Sequence, residues 1–259
     1  NQTQVREDLL APLKRLTVVG RLGVGLDNID LKACEGRGIA VVAADGGNEI
    51  SVAEHVFAGL LAFARNTLFT SERVAAGEWP RTQNVGSELF GKTLGIVGLG
   101  RIGRQVARRA AAFGLSLIAC DPFLDPADPV WRSLDIRSVE LVDLLAISDF
   151  ITLHCPLNDS SRGMIDAIAI KAIRPGAVMI NTARGGIVDE DALAGALAAG
   201  SLKGALIDVF ADEPLPAGNP FAGLSNVILT AHVAGLTEEA HLRVSRMIAE
   251  RVIAILGEP

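Results

Sequence analysis

KTLGIVGLGRIGRQVARRAAAFGLSLIACD, residues 92–121, decides the fold. It reads as a strand (Leu94–Val97), a glycine-rich turn, a helix (Arg104–Phe113) and a second strand (Leu115–Cys120) ending at Asp121. The turn, Gly98-Leu99-Gly100-Arg101-Ile102-Gly103, fits GxGxxG. Glycines are common in turns, so the pattern alone is weak. Between a strand and a helix, with an acid about 20 residues on, it is the fingerprint of a dinucleotide site. Gly98 allows the tight turn, Gly100 admits a pyrophosphate, and Gly103 lets helix and strand pack closely. The helix N-terminus offers free N–H groups and a positive dipole end to phosphate. A carboxylate at Asp121 accepts from ribose hydroxyls and repels a 2′-phosphate, which favours NAD (NADH) over NADP.

Outward from this stretch the pattern alternates. Upstream come a strand (Leu16–Val19), a glycine-rich turn (Gly20–Asp30), a short helix (Leu31–Arg37), a strand (Gly38–Ala44) and the turn Asp45–Asn48. Ser51 is expected to cap a long apolar helix, with Glu54 completing a capping box, that runs towards Ala76 until Gly77, Trp79 and Pro80 break it. Downstream come helices at Val139–Ile147, Asp166–Ile173 and Asp189–Ala199, strands at Asp149–Cys155, Ala177–Thr182, Ala205–Phe210 and Val227–Thr230, and a last helix from Thr237. Strands alternating with helices predict parallel βαβ units, and the nearly all-apolar strand cores predict a sheet covered on both faces. The fold class is α/β with two doubly wound domains. Residues 77–235 are expected to form a Rossmann domain inserted into a flavodoxin-like substrate domain made of 1–76 and 236–259.

The chain has 259 residues, 49% hydrophobic and 21% charged, enough for two modest domains with real cores. Its net charge of −6 argues against a nucleic-acid partner. Three scattered cysteines (Cys34, Cys120, Cys155) without a CxxC pair suit a reducing compartment, so the location expected is cytoplasmic. The four histidines have no metal-ligand spacing with them, so no metal site is expected. No apolar run is long enough for a membrane span.

Three further segments carry chemistry: Asn181–Glu190 (NTARGGIVDE), Asp208–Pro214 (DVFADEP) and Thr230–Gly235 (TAHVAG). They place Arg184, Glu213 and His232 just past strand ends, where ligands bind in an open α/β sheet. Reducing a 2-keto acid puts a hydride on C2 and a proton on its oxygen. Histidine is the natural proton carrier near neutral pH. A neighbouring carboxylate orients it and favours its protonated form. An arginine grips a substrate carboxylate and polarises the carbonyl. His55 and His241 read as structural helix residues, and His154 as a loop-shaping residue.

With these motifs in order, from GRLGVGLDNID through SVAEH, GKTLGIVGLGRIGR, HCPL, NTARGGIVDE and DVFADEP to TAHVAG, the chain resembles the D-isomer-specific 2-hydroxyacid dehydrogenases, the D-3-phosphoglycerate dehydrogenases among them. The resemblance implies a catalytic triad of Arg184, Glu213 and His232. It implies cofactor contacts at Arg101, Ile102 and Asp121, at Cys155, Pro156, Thr182, Ala183 and Gly235, and at Asp208 beside the nicotinamide carboxamide. Val24 and Gly25 correspond to a turn whose N–H groups hold the substrate carboxylate. Arg21 reads equally as a substrate contact and as a structural ion pair. A small 2-hydroxy or 2-keto acid partner and a homodimer are also implied. An NAD-sensing corepressor of the same fold keeps the same triad and is the alternative.

Relatives carry more βα structure ahead of the segment at Leu16, so the substrate domain is expected to be incomplete at its N-terminus. Ala231 stands where relatives commonly have proline, and Asp45 likewise; neither departure touches the triad.

Overall fold

The computed structural model describes residues 3–67 and 70–257. In chain order the elements are α1 (Glu7–Leu10), β1 (Val18–Arg21), α2 (Leu31–Gly36), β2 (Ala40–Ala43), α3 (Glu49–Arg65), α4 (Ser71–Ala75), β3 (Thr93–Val97), α5 (Arg101–Ala112), β4 (Ser116–Cys120), α6 (Val130–Ser133) and β5 (Ile136–Ser138). They continue with α7 (Leu141–Ile147), β6 (Phe150–Leu153), α8 (Ala167–Ala172), β7 (Val178–Asn181), α9 (Glu190–Ala198), β8 (Gly204–Ile207), β9 (Val227–Leu229) and α10 (Glu238–Leu256).

Two compact units result, one taking the chain up to Ser51 and again from Gly235, the other Val52–Ala234. In the larger unit a seven-stranded, all-parallel sheet runs in the order β5-β4-β3-β6-β7-β8-β9. Strand order reverses between β3 and β6, the switch point at whose carboxyl edge ligands bind in doubly wound sheets. The inner strands β6, β7 and β8 are buried along their whole length, as the apolar runs predict when helices cover both faces. One face packs Ile96, Ile180 and Leu206 against α3 and α5 through Val56, Leu60, Phe63 and Val106. The other packs Ile151, Met179 and Ile207 against α7, α8 and α9 through Leu144, Ile170 and Leu193. Asp166 and Asp189 cap α8 and α9 with their carboxylates.

The smaller unit pairs β1 with β2 in parallel and lays α10 along them. Val244 and Ile248 of α10 pack on Ala44, with Val42 and Val252 alongside. A Cβ at Gly20 would lie 2.8 Å from Ile248, so glycine there sets how closely α10 approaches. Thr237 caps α10 as its sequence position predicts.

Three expectations change. Ser51 is not a cap: α3 begins at Glu49, and the Ser51 hydroxyl bonds Thr237 instead (2.9 Å). The long helix does not continue to Ala76. It ends at Arg65, Asn66 turns to φ 53°, and α4 follows, with 68–69 of the expected run outside the described residues. The division between units also falls at Ser51 and Val52 rather than at Gly77, because Ala53, Val56, Phe57 and Leu60 of α3 belong to the larger unit's core.

Candidate active site

At the end of β3, Gly98 takes φ +92°, and a Cβ there would meet the Cys155 N–H and His154 carbonyl at 2.9 Å. A Cβ at Gly103 would sit 2.2 Å from the Gly98 carbonyl oxygen. Packing requires both glycines. Gly100 differs: it is the N-cap of α5 in extended conformation, and a Cβ there would meet nothing within 4 Å. Among the described residues the N–H groups of Gly100, Arg101, Ile102 and Gly103 have no acceptor, and no side chain caps the helix. Unpaired donors, a helix dipole and an open face over Gly100 fit a pyrophosphate. Arg101 is exposed, while Ile102 packs against the core beneath the turn.

Asp121, at the end of the neighbouring β4, accepts from Leu99 N–H through Oδ2 (2.8 Å) and from Phe123 N–H through Oδ1 (3.1 Å). Each oxygen keeps a lone pair for a further donor, so the carboxylate can take ribose hydroxyls while holding the turn in place.

The remaining sheet ends carry the other predicted groups. Past β6, burial pushes the Cys155 thiol up to about 11, which makes it a packing group rather than a nucleophile; Pro156 beside it is exposed. His154 is held neutral by burial, its pKa pushed down to about 3, with Nε2 bonded to Thr152 (2.9 Å) and Nδ1 without a partner among the described residues. Past β7, the buried Asn181 side chain accepts from Ala183 N–H (3.1 Å) and donates to the Arg184 carbonyl (3.2 Å), fixing the loop that presents Thr182, Ala183 and Arg184. Among the described residues the buried Thr182 hydroxyl has no hydrogen-bond partner, which suits contact with a polar group of a ligand. Arg184 donates to the Ala183 carbonyl (2.6 Å).

Past β8 and β9 the acid and the histidine meet. Glu213 Oε2 lies 2.9 Å from His232 Nδ1, and Glu213 Oε1 accepts from Phe210 N–H (3.1 Å). Asp208 is wholly buried and accepts from Thr230 Oγ1, Val233 N–H and Ala234 N–H. His232 itself takes φ +55°, an uncommon conformation for a non-glycine residue. Sequence reasoning missed two supports. Glu190 of α9 accepts from Ala211 N–H (2.6 Å) and so anchors the Glu213 loop. Gly185 lets that loop pass, since a Cβ would fall 1.8 Å from the Phe210 carbonyl oxygen. Their signal was position alone, inside NTARGGIVDE.

Arg21, Val24, Gly25 and Gly235 belong to the smaller unit. The N–H groups of Val24 and Gly25 have no acceptor among the described residues. Arg21 Nε donates to Asn28 (3.3 Å), and a Cβ at Gly23 would lie 2.7 Å from its guanidinium, so Arg21 folds over its own turn. Gly235 leaves room for Asn48, which a Cβ would approach to 2.5 Å. No group of His, Cys, Asp and Glu that could hold a metal occurs among the described residues.

Residues 57–234 match the model of the D-isomer specific 2-hydroxyacid dehydrogenase, NAD binding domain. The chain belongs to this family. It is 46% identical over 257 residues to an (S)-sulfolactate dehydrogenase of Chromohalobacter salexigens, covering 99% of this chain and 83% of that protein. It is 42% identical over 253 residues to a D-3-phosphoglycerate dehydrogenase of Archaeoglobus fulgidus, covering 98% of this chain but only 48% of that longer protein. Among solved structures, the D-lactate dehydrogenase of Aquifex aeolicus, complexed with NAD and lactic acid, superposes with a TM-score of 0.88 at 31% identity, covering 98% of this chain and 81% of that one. The larger unit is therefore a Rossmann-type NAD-binding domain, as the turn at Gly98–Gly103 predicted.

Proposed function

We propose that the protein is an NAD-dependent dehydrogenase that interconverts a small 2-keto acid and its 2-hydroxy acid. The observation that carries this reading is the His232–Glu213 pair, in contact at 2.9 Å on the sheet edge that also bears the phosphate-binding turn. When bound, NAD(H) supplies or takes up the hydride at C2. The chain's own residues do the rest. Glu213 accepts from Nδ1–H and fixes the imidazole's tautomer and direction, leaving Nε2 to deliver a proton to the substrate's C2 oxygen or remove one from it. Arg184 orients the substrate carboxylate and polarises the carbonyl. The Val24 and Gly25 N–H groups bind the same carboxylate. Gly100 to Gly103 hold the pyrophosphate, and Asp121 the ribose. Cys155, Pro156, Thr182, Ala183, Asp208 and Gly235 complete the cofactor's contacts.

The relatives point to acids with a second anionic group, of the sulfolactate and phosphoglycerate type. Arg21 is the cation nearest in sequence to the Val24–Gly25 turn and suits such a group. A homodimer is part of the reading, supported by large exposed apolar side chains at Trp79, Val85 and Phe90. A cytoplasmic location rests on the free thiols of Cys34, Cys120 and Cys155. No described helix is long and apolar enough to cross a membrane.

The test is NADH oxidation with a panel of keto acids: sulfopyruvate, phosphohydroxypyruvate, hydroxypyruvate, glyoxylate and pyruvate. Fast turnover concentrated on the doubly anionic members is expected. Turnover on none of them, with NADH still bound, would overturn the enzymatic reading and favour an NAD-sensing binding role.

A further inference from the structure

The loop that carries His232 is held by a chain of groups that runs from His55 through Thr230 to Asp208. Its geometry is demanding. His232 sits at φ +55°, a backbone conformation that persists only where the surroundings over-determine it. The His232 N–H donates to the Asp208 backbone carbonyl (2.8 Å). The Asp208 carboxylate then takes the next two N–H groups in turn, Val233 on Oδ1 (2.8 Å) and Ala234 on Oδ2 (2.9 Å). Asp208 thus grips the loop on the C-terminal side of His232.

On the N-terminal side the grip passes through Thr230. Its Oγ1 donates to Asp208 Oδ1 at 2.5 Å, short for a hydroxyl and typical of a bond to a charged acceptor. A hydroxyl has one hydrogen, and here the carboxylate receives it. The second partner of Thr230 Oγ1, His55 Nε2 at 3.3 Å, must then be a donor. This fixes the tautomer of His55 with its hydrogen on Nε2. His55 stands on α3, whose neighbouring residues Val56 and Phe57 are buried in the core, so its backbone is anchored. The order of donation runs one way, from His55 to Thr230 to the Asp208 carboxylate, and the carboxylate binds the loop on both sides of His232.

We propose that Thr230 and His55 are positioning residues for His232, acting through Asp208. This rests on His232 being the acid–base group. Neither residue touches substrate; together they aim the carboxylate that sets where the imidazole stands. A displacement of about 1 Å at a reacting group can cost on the order of a hundredfold in rate, so loss of the chain should appear in kcat.

The test uses Thr230→Val, which keeps the shape and removes the hydrogen bonds, Thr230→Ser, which restores them, and His55→Leu and His55→Gln on the far side of the chain. Thr230→Val should lower kcat about ten- to hundredfold, with the KM for keto acid and the affinity for NADH within about twofold. Thr230→Ser should recover most of the rate, and His55→Gln, which keeps a donor, should outperform His55→Leu. In the protein without substrate, amide hydrogen exchange at Val233 and Ala234 should quicken in Thr230→Val and His55→Leu, with Ile207 in β8 unchanged. A folded Thr230→Val with wild-type kcat, a loss explained wholly by weaker NADH binding, or unchanged exchange at Val233 and Ala234 would each overturn the proposal. Should Thr230→Val not fold, the His55 pair decides by the same readouts. Should the wild-type protein reduce no keto acid, the functional reading fails, and the exchange rates still decide whether this chain holds the loop.

Discussion

Glu213 Oε2 stands 2.9 Å from His232 Nδ1, while Glu213 Oε1 is tied to the Phe210 N–H. The carboxylate is therefore a fixed post, and the imidazole is oriented against it. The pair is substantially exposed, with the His232 side chain at 51%, so its contribution to folding is small. Its value lies in geometry.

Glu213→Gln should accordingly separate catalysis from stability. The amide can present either its oxygen or its nitrogen to Nδ1, so the tautomer is no longer imposed. We expect kcat to fall about ten- to hundredfold, within the range that positioned acid–base groups contribute, with the melting temperature unchanged. Steady-state kinetics beside thermal unfolding check this. An unaltered kcat would remove Glu213 from the mechanism.

The glycines of the turn should divide by what a Cβ would meet. Gly103→Ala drives a methyl to 2.2 Å from the Gly98 carbonyl, and backbone must move. A loss of about 1–3 kcal/mol of stability is expected, the usual cost of overpacking. Gly100→Ala meets open space in an extended conformation any residue adopts. Stability should hold within about 0.5 kcal/mol, while NADH binding weakens about tenfold or more, since the methyl stands where the pyrophosphate comes closest. Urea unfolding and NADH fluorescence titration measure the two effects. Equal stability losses in both variants would contradict the division.

Much of this was legible before any coordinates, and the reasons are physical. Strands β3, β4, β6, β7 and β8 are short apolar runs bounded by glycine, proline or charge, and buried parallel strands have no other signature. Asp166, Asp189 and Thr237 could be read as helix starts because a side chain that caps acts on N–H groups only two or three residues away. What stayed hidden was non-local. Ser51 has the sequence of a cap, yet its hydroxyl finds Thr237, 186 positions on. The edge strand β5 and the short α6 were missed: β5 has only Ile136 buried, and its alternation is too brief to register. At the site, Arg184, Glu213 and His232 were read from strand ends, whereas the roles of Thr230, Glu190 and Gly185 emerge only from contacts between distant loops.

His154 gives the molecule a built-in acid sensitivity. Burial holds its folded pKa at about 3, well below the ordinary 6.5. As pH falls below 6.5 the unfolded chain takes up a proton that the folded chain refuses, so stability is complete above that pH and is lost progressively towards 3. The slope from this one group is at most about 1.4 kcal/mol per pH unit. Urea unfolding between pH 7.5 and about pH 4.5 should show the advantage of the wild-type protein over His154→Gln shrinking as the pH falls. Parallel stability curves would show that His154 is not buried neutral.

The central claim is that His232 moves the substrate proton, and one comparison tests it most directly: the single-turnover rate of keto-acid reduction by NADH-loaded wild-type protein and by His232→Ala, with NADH affinity measured on both. The account predicts a fall of about 10²- to 10⁴-fold in the rate at nearly unchanged NADH affinity, because the histidine stands on the β9 loop, away from the phosphate-binding turn after β3. A His232→Ala protein that binds NADH normally and reduces the keto acid at the wild-type rate would contradict it.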